Sequence, residues 1–132
     1  MTINLDHNQN INLDHIMAVA ENKAKLELSE ATHKLLKQRR KQIEDHINSQ
    51  ELPAYGFNRG FGHNVDLPVS SDNLSQLQDK LIVSHSVGLG DIVPDPIIRM
   101  TMLLRAQSLS RGYSGVRPDI INQILNLLNH NI

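Results

Sequence analysis

Three of the chain's four aromatic rings fall within the run Ala54-Tyr55-Gly56-Phe57-Asn58-Arg59-Gly60-Phe61-Gly62. Glycines this dense give the backbone access to positive φ and let a side chain such as Tyr55 point into a cavity from a mobile lid. A tyrosine so placed can take a proton from carbon. It titrates near 10 in isolation, however, so it needs positive charge or hydrogen-bond donors at its oxygen. Arg59 is a cation in the same loop, although nothing in the sequence places it beside the ring. On residue type alone, a tyrosine that anchors a loop is the commoner case. Gly56, Gly60 and Gly62 match neither the dinucleotide fingerprint nor the phosphate loop, and no strand precedes them, so a nucleotide site is not expected.

Ser84-His85 precedes Gly88 and Gly90 and forms a second constellation. A histidine near a helix end most often caps that end or faces solvent. The functional alternative is ring recognition, in which the imidazole hydrogen-bonds a polar aromatic substrate and orients it. The other histidines, at 7, 15, 33, 46, 63 and 130, form no pair at helical spacing, so no local metal motif is present and no metal site is expected. Gly112-Tyr113-Ser114-Gly115-Val116-Arg117-Pro118 reads as a helix stop followed by a helix start. Ser114 lacks the strand-to-helix elbow of a hydrolase nucleophile. The basic run from Lys37 to Lys41 is followed at once by Glu44 and Asp45, as on a solvated helix face.

These residues must be positioned by a chain of 132 residues with 13 Lys and Arg against 14 Asp and Glu, no Cys and no Trp. That is one modest domain, 1–132, with a glycine-rich loop at 53–68. A net charge of -1 gives no general attraction to nucleic acid or to an anionic membrane. The lack of cysteine excludes disulfides and thiolate-bound metals. No stretch approaches the roughly 20 apolar residues of a membrane span. Met1 is followed by an Asn- and Asp-rich segment rather than an export signal, and the expected compartment is the cytoplasm.

With so few aromatic residues the core must come from Leu, Ile, Val and Met, and their spacing predicts a mostly α fold of five helices. The first is capped by Asn12 and carries Leu13, Ile16, Met17 and Ala20 on one face. The second is capped by Ser29 and runs to about Gln50 with Leu36, Ile43 and Ile47. A third starts near Ser71 or Asp72 with Leu74, Leu77 and Leu81. Pro96 opens the fourth, with Ile97, Met100, Leu103 and Leu104, and Pro118 opens the fifth, with Ile121, Ile124, Leu125 and Leu128. The ordered core is expected from about residue 29 to 129. The fifth helix is so apolar that it is expected to need cover from a partner or from further chain.

In order and spacing these segments resemble the amino-terminal part of the aromatic amino-acid ammonia-lyase family, most closely its histidine ammonia-lyases. Tyr55 to Gly62 is similar to the family's Tyr-Gly-x-Asn-Thr-Gly-Phe-Gly loop. Leu77-Gln78 through Leu81, Val83-Ser84-His85 and Gly88-x-Gly90 resemble the helix that follows. Arg99 to Leu104, Ser108-Leu109, Gly112, Ser114-Gly115 and Val116-Arg117-Pro118 continue the pattern. The resemblance is strong from about 54 to 129 and weak before it. It implies a helical domain of the fumarase/aspartase-like superfamily and the elimination of ammonia from an aromatic amino acid.

On that resemblance Tyr55 matches the base for the substrate's β-proton. Ser84 and His85 match the pair that selects the substrate ring, of histidine type. Gly56, Asn58, Arg59, Gly60, Phe61 and Gly62 match the active-site loop. The family's electrophile is a methylidene-imidazolone made from Ala-Ser-Gly, which these 132 residues lack, and Arg59 stands where the family usually has Thr. The expectation is therefore the amino-terminal part of a histidine ammonia-lyase-like enzyme, inactive as this chain alone and with no cofactor in it. The implied partners are L-histidine in the longer enzyme and further copies of the chain, as in the family's tetramer, or contacts with missing chain. Two other readings stay open: a truncated, non-catalytic oligomerisation or binding module, and a metabolite-binding domain in which Tyr55 and His85 grip a ring without chemistry.

Overall fold

A computed structural model describes residues 1–49, 55, 59, 62–64, 66, 69 and 71–132. Among these, five helices carry the fold: α1 (Leu13–Ala20), α2 (Glu30–Ser49), α3 (Ser71–His85), α4 (Asp95–Ser110) and α5 (Pro118–His130), with a short 3₁₀ turn at Gly62–Asn64. The expected caps are in place. Asn12 Oδ1 accepts from the His15 amide at 2.9 Å, and Ser29 Oγ accepts from the Thr32 amide at 3.1 Å. Pro96 lies in the first turn of α4 and Pro118 in that of α5. The basic run from Lys37 to Lys41 is a largely solvated face of α2.

Two strands were not expected. β1 (Thr2–Leu5) and β2 (Lys25–Leu28) pair in parallel, Ile3 beside Leu26 and Leu5 beside Leu28, with α1 as the crossover. Ile3, Leu5 and Leu26 point inward while Thr2, Asn4, Lys25 and Glu27 face solvent. Each strand has only four residues, too short an alternation to stand out against helical periodicity, and the pairing joins segments 23 positions apart. The core therefore begins at Ile3 rather than near residue 29.

The chain divides into two compact units, one of residues 1–42 with 92–132 and the other of 43–91. In the first, Ile3, Leu5, Leu26, Leu36, Leu103 and Ile121 belong to one buried cluster with Val19, Leu125 and Leu128. Two helix faces differ from the expected ones. In α1, Ala20 is buried as expected, but Leu13 and Met17 are exposed and Val19 takes the inward place; in α4, Leu103 is buried as expected, but Ile97 and Leu104 are about half exposed while Ala106 and Leu109 go inward. α5 matches its expected face, and Ile121, Leu125 and Leu128 are covered within the unit by β2 and α4. Ile120, on the same helix, is 43% exposed.

Polar groups tie this unit together. Arg99, 7% exposed, donates from Nε to the Val19 carbonyl at 2.7 Å and from Nη2 to the Leu128 carbonyl at 3.1 Å. It also reaches Asn22 Oδ1 and Asn131 Oδ1, each at 3.1 Å. Both asparagines sit just past a helix end with φ of 56° and 57°. The cation is thus held by the negative ends of α1 and α5, where backbone carbonyls lack helical partners. Asn129 takes both backbone groups of Leu26, accepting its N–H at 2.8 Å and donating to its carbonyl at 2.9 Å, as a neighbouring strand would. Asp6 accepts from Ser29 Oγ at 2.8 Å, and Arg111 donates to the carbonyls of His7 and Gln9, which fastens the segment after β1.

The second unit contains the end of α2, the 3₁₀ turn and α3. None of its described side chains is buried; Ile43, Ile47, Leu77 and Leu81 are half-buried. After α3, Val87 and Leu89 are exposed, Leu89 at 96%; Ile92, where the first unit resumes, is 95% exposed.

Candidate functional site

Every residue singled out as a candidate site lies in the unit 43–91. Tyr55 is 61% exposed and its hydroxyl oxygen accepts from the Gly62 amide at 3.3 Å. Gly62 has a φ of +55°, a conformation that glycine adopts without steric cost, and this supplies a donor at the phenol oxygen of the kind a tyrosine base needs. Arg59 donates from Nη1 to the carbonyl oxygen of Asp66 at 2.8 Å, bracing the loop across itself. Gly56, Asn58, Gly60 and Phe61 lie outside the described residues.

Ser84 and His85 close the last turn of α3 and both are exposed. Ser84 Oγ donates to the Leu81 carbonyl at 3.0 Å, and His85 Nδ1 lies 2.9 Å from the same oxygen and 3.0 Å from Ser84 Oγ. Ser86 Oγ donates to the Ile82 carbonyl at 2.6 Å. Three consecutive side chains thus turn back onto carbonyls of the preceding turn. Nδ1 is spent on the helix's own backbone, close to the plain reading of a histidine in this place.

The structure thus brings Tyr55 to Gly62, Arg59 to residue 66, and Ser84 to His85. The carbonyls of Asp66 and Leu81 and the hydroxyl of Ser86 had no part in the sequence reading. A Ser-His-Ser run at a predicted helix end was the signal that could have found the last two. No group of three or more His, Cys, Asp or Glu among the described residues could hold a metal ion. In the other unit, a cavity of about 260 Å³ is lined by Ile98, Met102, Leu128 and Ile132 with Asp95 and Arg99, and contains none of the candidate residues.

The family model for aromatic amino acid lyases matches residues 11–132. The chain belongs to the aromatic amino acid lyase family. Among its curated relatives, a histidine ammonia-lyase of Deinococcus radiodurans is 39% identical over 92% of this chain and 23% of its own length. A histidine ammonia-lyase of Streptococcus sanguinis is 35% identical over 98% of this chain and 25% of its own length. The chain spans about a quarter of these relatives.

Solved structures agree with the lyase fold. An ergothionase from Treponema denticola superposes with a TM-score of 0.92 at 26% identity, covering 100% of this chain and 26% of that one. A histidine ammonia-lyase from Trypanosoma cruzi gives 0.82 at 28% identity, over 98% and 24%. The mostly α architecture is that of the fumarase/aspartase-like superfamily.

Proposed function

We propose that this aromatic amino acid lyase chain provides the lid and ring-reading part of an enzyme that eliminates ammonia from L-histidine to give urocanate, and that alone it does not turn over. The observation that carries the reading is the match to relatives named histidine ammonia-lyase over 92% and 98% of the chain. In this reading Tyr55 takes the β-proton, His85 with Ser84 beside it meets the imidazole, and the loop at 53–68 covers the site. The exposed Tyr55 hydroxyl, with its Gly62 donor, and the exposed His85 ring support those roles. A weakly acidic β-proton also needs an electron sink, which the family's methylidene-imidazolone supplies. The Ala-Ser-Gly tripeptide that forms it does not occur in these 132 residues.

The compartment in this proposal is the cytoplasm. Among the described residues no helix is long and apolar enough to cross a membrane. The test has two parts. The purified 132-residue chain should form no urocanate from L-histidine, and sustained turnover would refute the reading. The coding sequence past codon 132 should encode Ala-Ser-Gly in frame, and in that longer polypeptide Tyr55→Phe should remove most of the activity.

A second reading is favoured by the near-complete exposure of Leu89, with Val87 also exposed: a non-catalytic module that self-associates or binds another protein through exposed apolar residues. A stop codon directly after 132, with oligomers in light scattering, would select it.

A further inference from the structure

The end of α3 fixes more than the position of His85. A carbonyl oxygen only accepts hydrogen bonds, so the nitrogen 2.9 Å from Leu81 O, Nδ1, must carry a proton. Ser84 Oγ points its hydrogen at the same carbonyl and presents a lone pair to Nδ1, at 3.0 Å. Both contacts therefore favour the same state of the ring. When His85 is neutral its proton is on Nδ1, and Nε2 is a bare acceptor. No hydrogen bond to Nε2 is found among the described residues, and the ring is exposed. The last turn of α5 repeats the arrangement, with His130 Nδ1 2.9 Å from the Asn126 carbonyl, so the geometry belongs to helix ends in general. What distinguishes His85 is the serine hydroxyl in contact with both the carbonyl and the ring.

We infer that the Leu81 carbonyl and the Ser84 hydroxyl lock His85 as a hydrogen-bond acceptor at Nε2, and that Ser84 thereby sets the requirement for an N–H or O–H donor in the ring contact proposed above. Ser84 is then a positioning residue that acts through His85 rather than a group that touches substrate. The ligand half of this inference rests on the proposal that His85 meets the substrate ring. The tautomer half does not.

The test is nitrogen-15 NMR of the 132-residue chain with labelled histidine, the His85 signals being assigned by their loss in His85→Gln. Above the histidine titration, Nδ1 should read as the protonated nitrogen and Nε2 as the bare one; the reverse overturns the inference. Ser84→Ala should raise the Nε2–H population several-fold and Ser84→Thr should restore the parent ratio. Ratios unmoved in Ser84→Ala would remove Ser84 from the account. On titration, L-histidine should shift Nε2 more than L-phenylalanine does, and equal shifts overturn the selectivity. With the expected tautomer in place, no shift from either ligand would count against the proposed ring contact and leave the lock standing.

Discussion

The unit of residues 1–42 and 92–132 encloses a continuous apolar core, and its polar side chains are spent on structure: Arg99 on two helix ends, Asn129 on a strand, Asp6 on a helix cap. The unit of residues 43–91 has no described buried side chain, yet holds Tyr55, Arg59, Ser84 and His85. The difference shows a division of labour. The candidate groups lie in the unit whose described side chains are not buried, while the packed unit supplies the stability of the fold.

Mutations should respect that division, and the largest effect is expected in the core. Leu128→Ala should cost ~3 kcal/mol in urea denaturation, because the side chain is fully enclosed and its removal leaves a cavity. A loss below ~1 kcal/mol would mean that the first unit is not the stabilising one. Arg99→Lys keeps the charge but not the fork that reaches four acceptors, and should cost ~2 kcal/mol in the same measurement.

Asp6 sharpens the comparison through pH. The Asn8 amide first, and then the Ser29 hydroxyl, hold its carboxyl below the ordinary value of 3.8 in the folded chain. A depressed folded-state value means that its contribution is complete above the unfolded value and is lost as pH falls through the folded one. Asp6→Asn should therefore cost ~1 kcal/mol near neutrality and flatten the stability profile below about pH 4, as followed by thermal melts. The smallest effect is expected at Leu89, where Leu89→Ser should change stability by less than ~0.5 kcal/mol while reducing hydrophobic-dye binding. A large loss of stability there would erase the contrast between the regions.

The helices were legible because their signals are local. Asn12, Ser29 and Pro118 mark starts within a turn of where they act, and the Tyr55 and His85 segments carry a family's residue order. The inward face of α1 was read in part: Ala20 is buried and Ile16 half-buried as expected, but Leu13 and Met17, larger than Val19, were placed inward in its stead, although Ile16, Val19 and Ala20 also share a helical face. The strands are too short to announce themselves. The roles of Arg99 and Arg59 depend on carbonyl oxygens, which every residue has, and in the case of Arg99 on partners up to 80 positions away. Such contacts leave no mark on residue type.

Asn129 has a further consequence. An unpaired strand edge is a template on which another molecule can lay its own backbone, the first step toward ordered aggregates. By taking both the N–H and the carbonyl of Leu26, the amide of Asn129 already occupies that template within the molecule. Its removal would uncover a docking edge as well as cost two hydrogen bonds, so the variant's fate would depend on protein concentration, with fibrillation rather than simple unfolding as the way it fails.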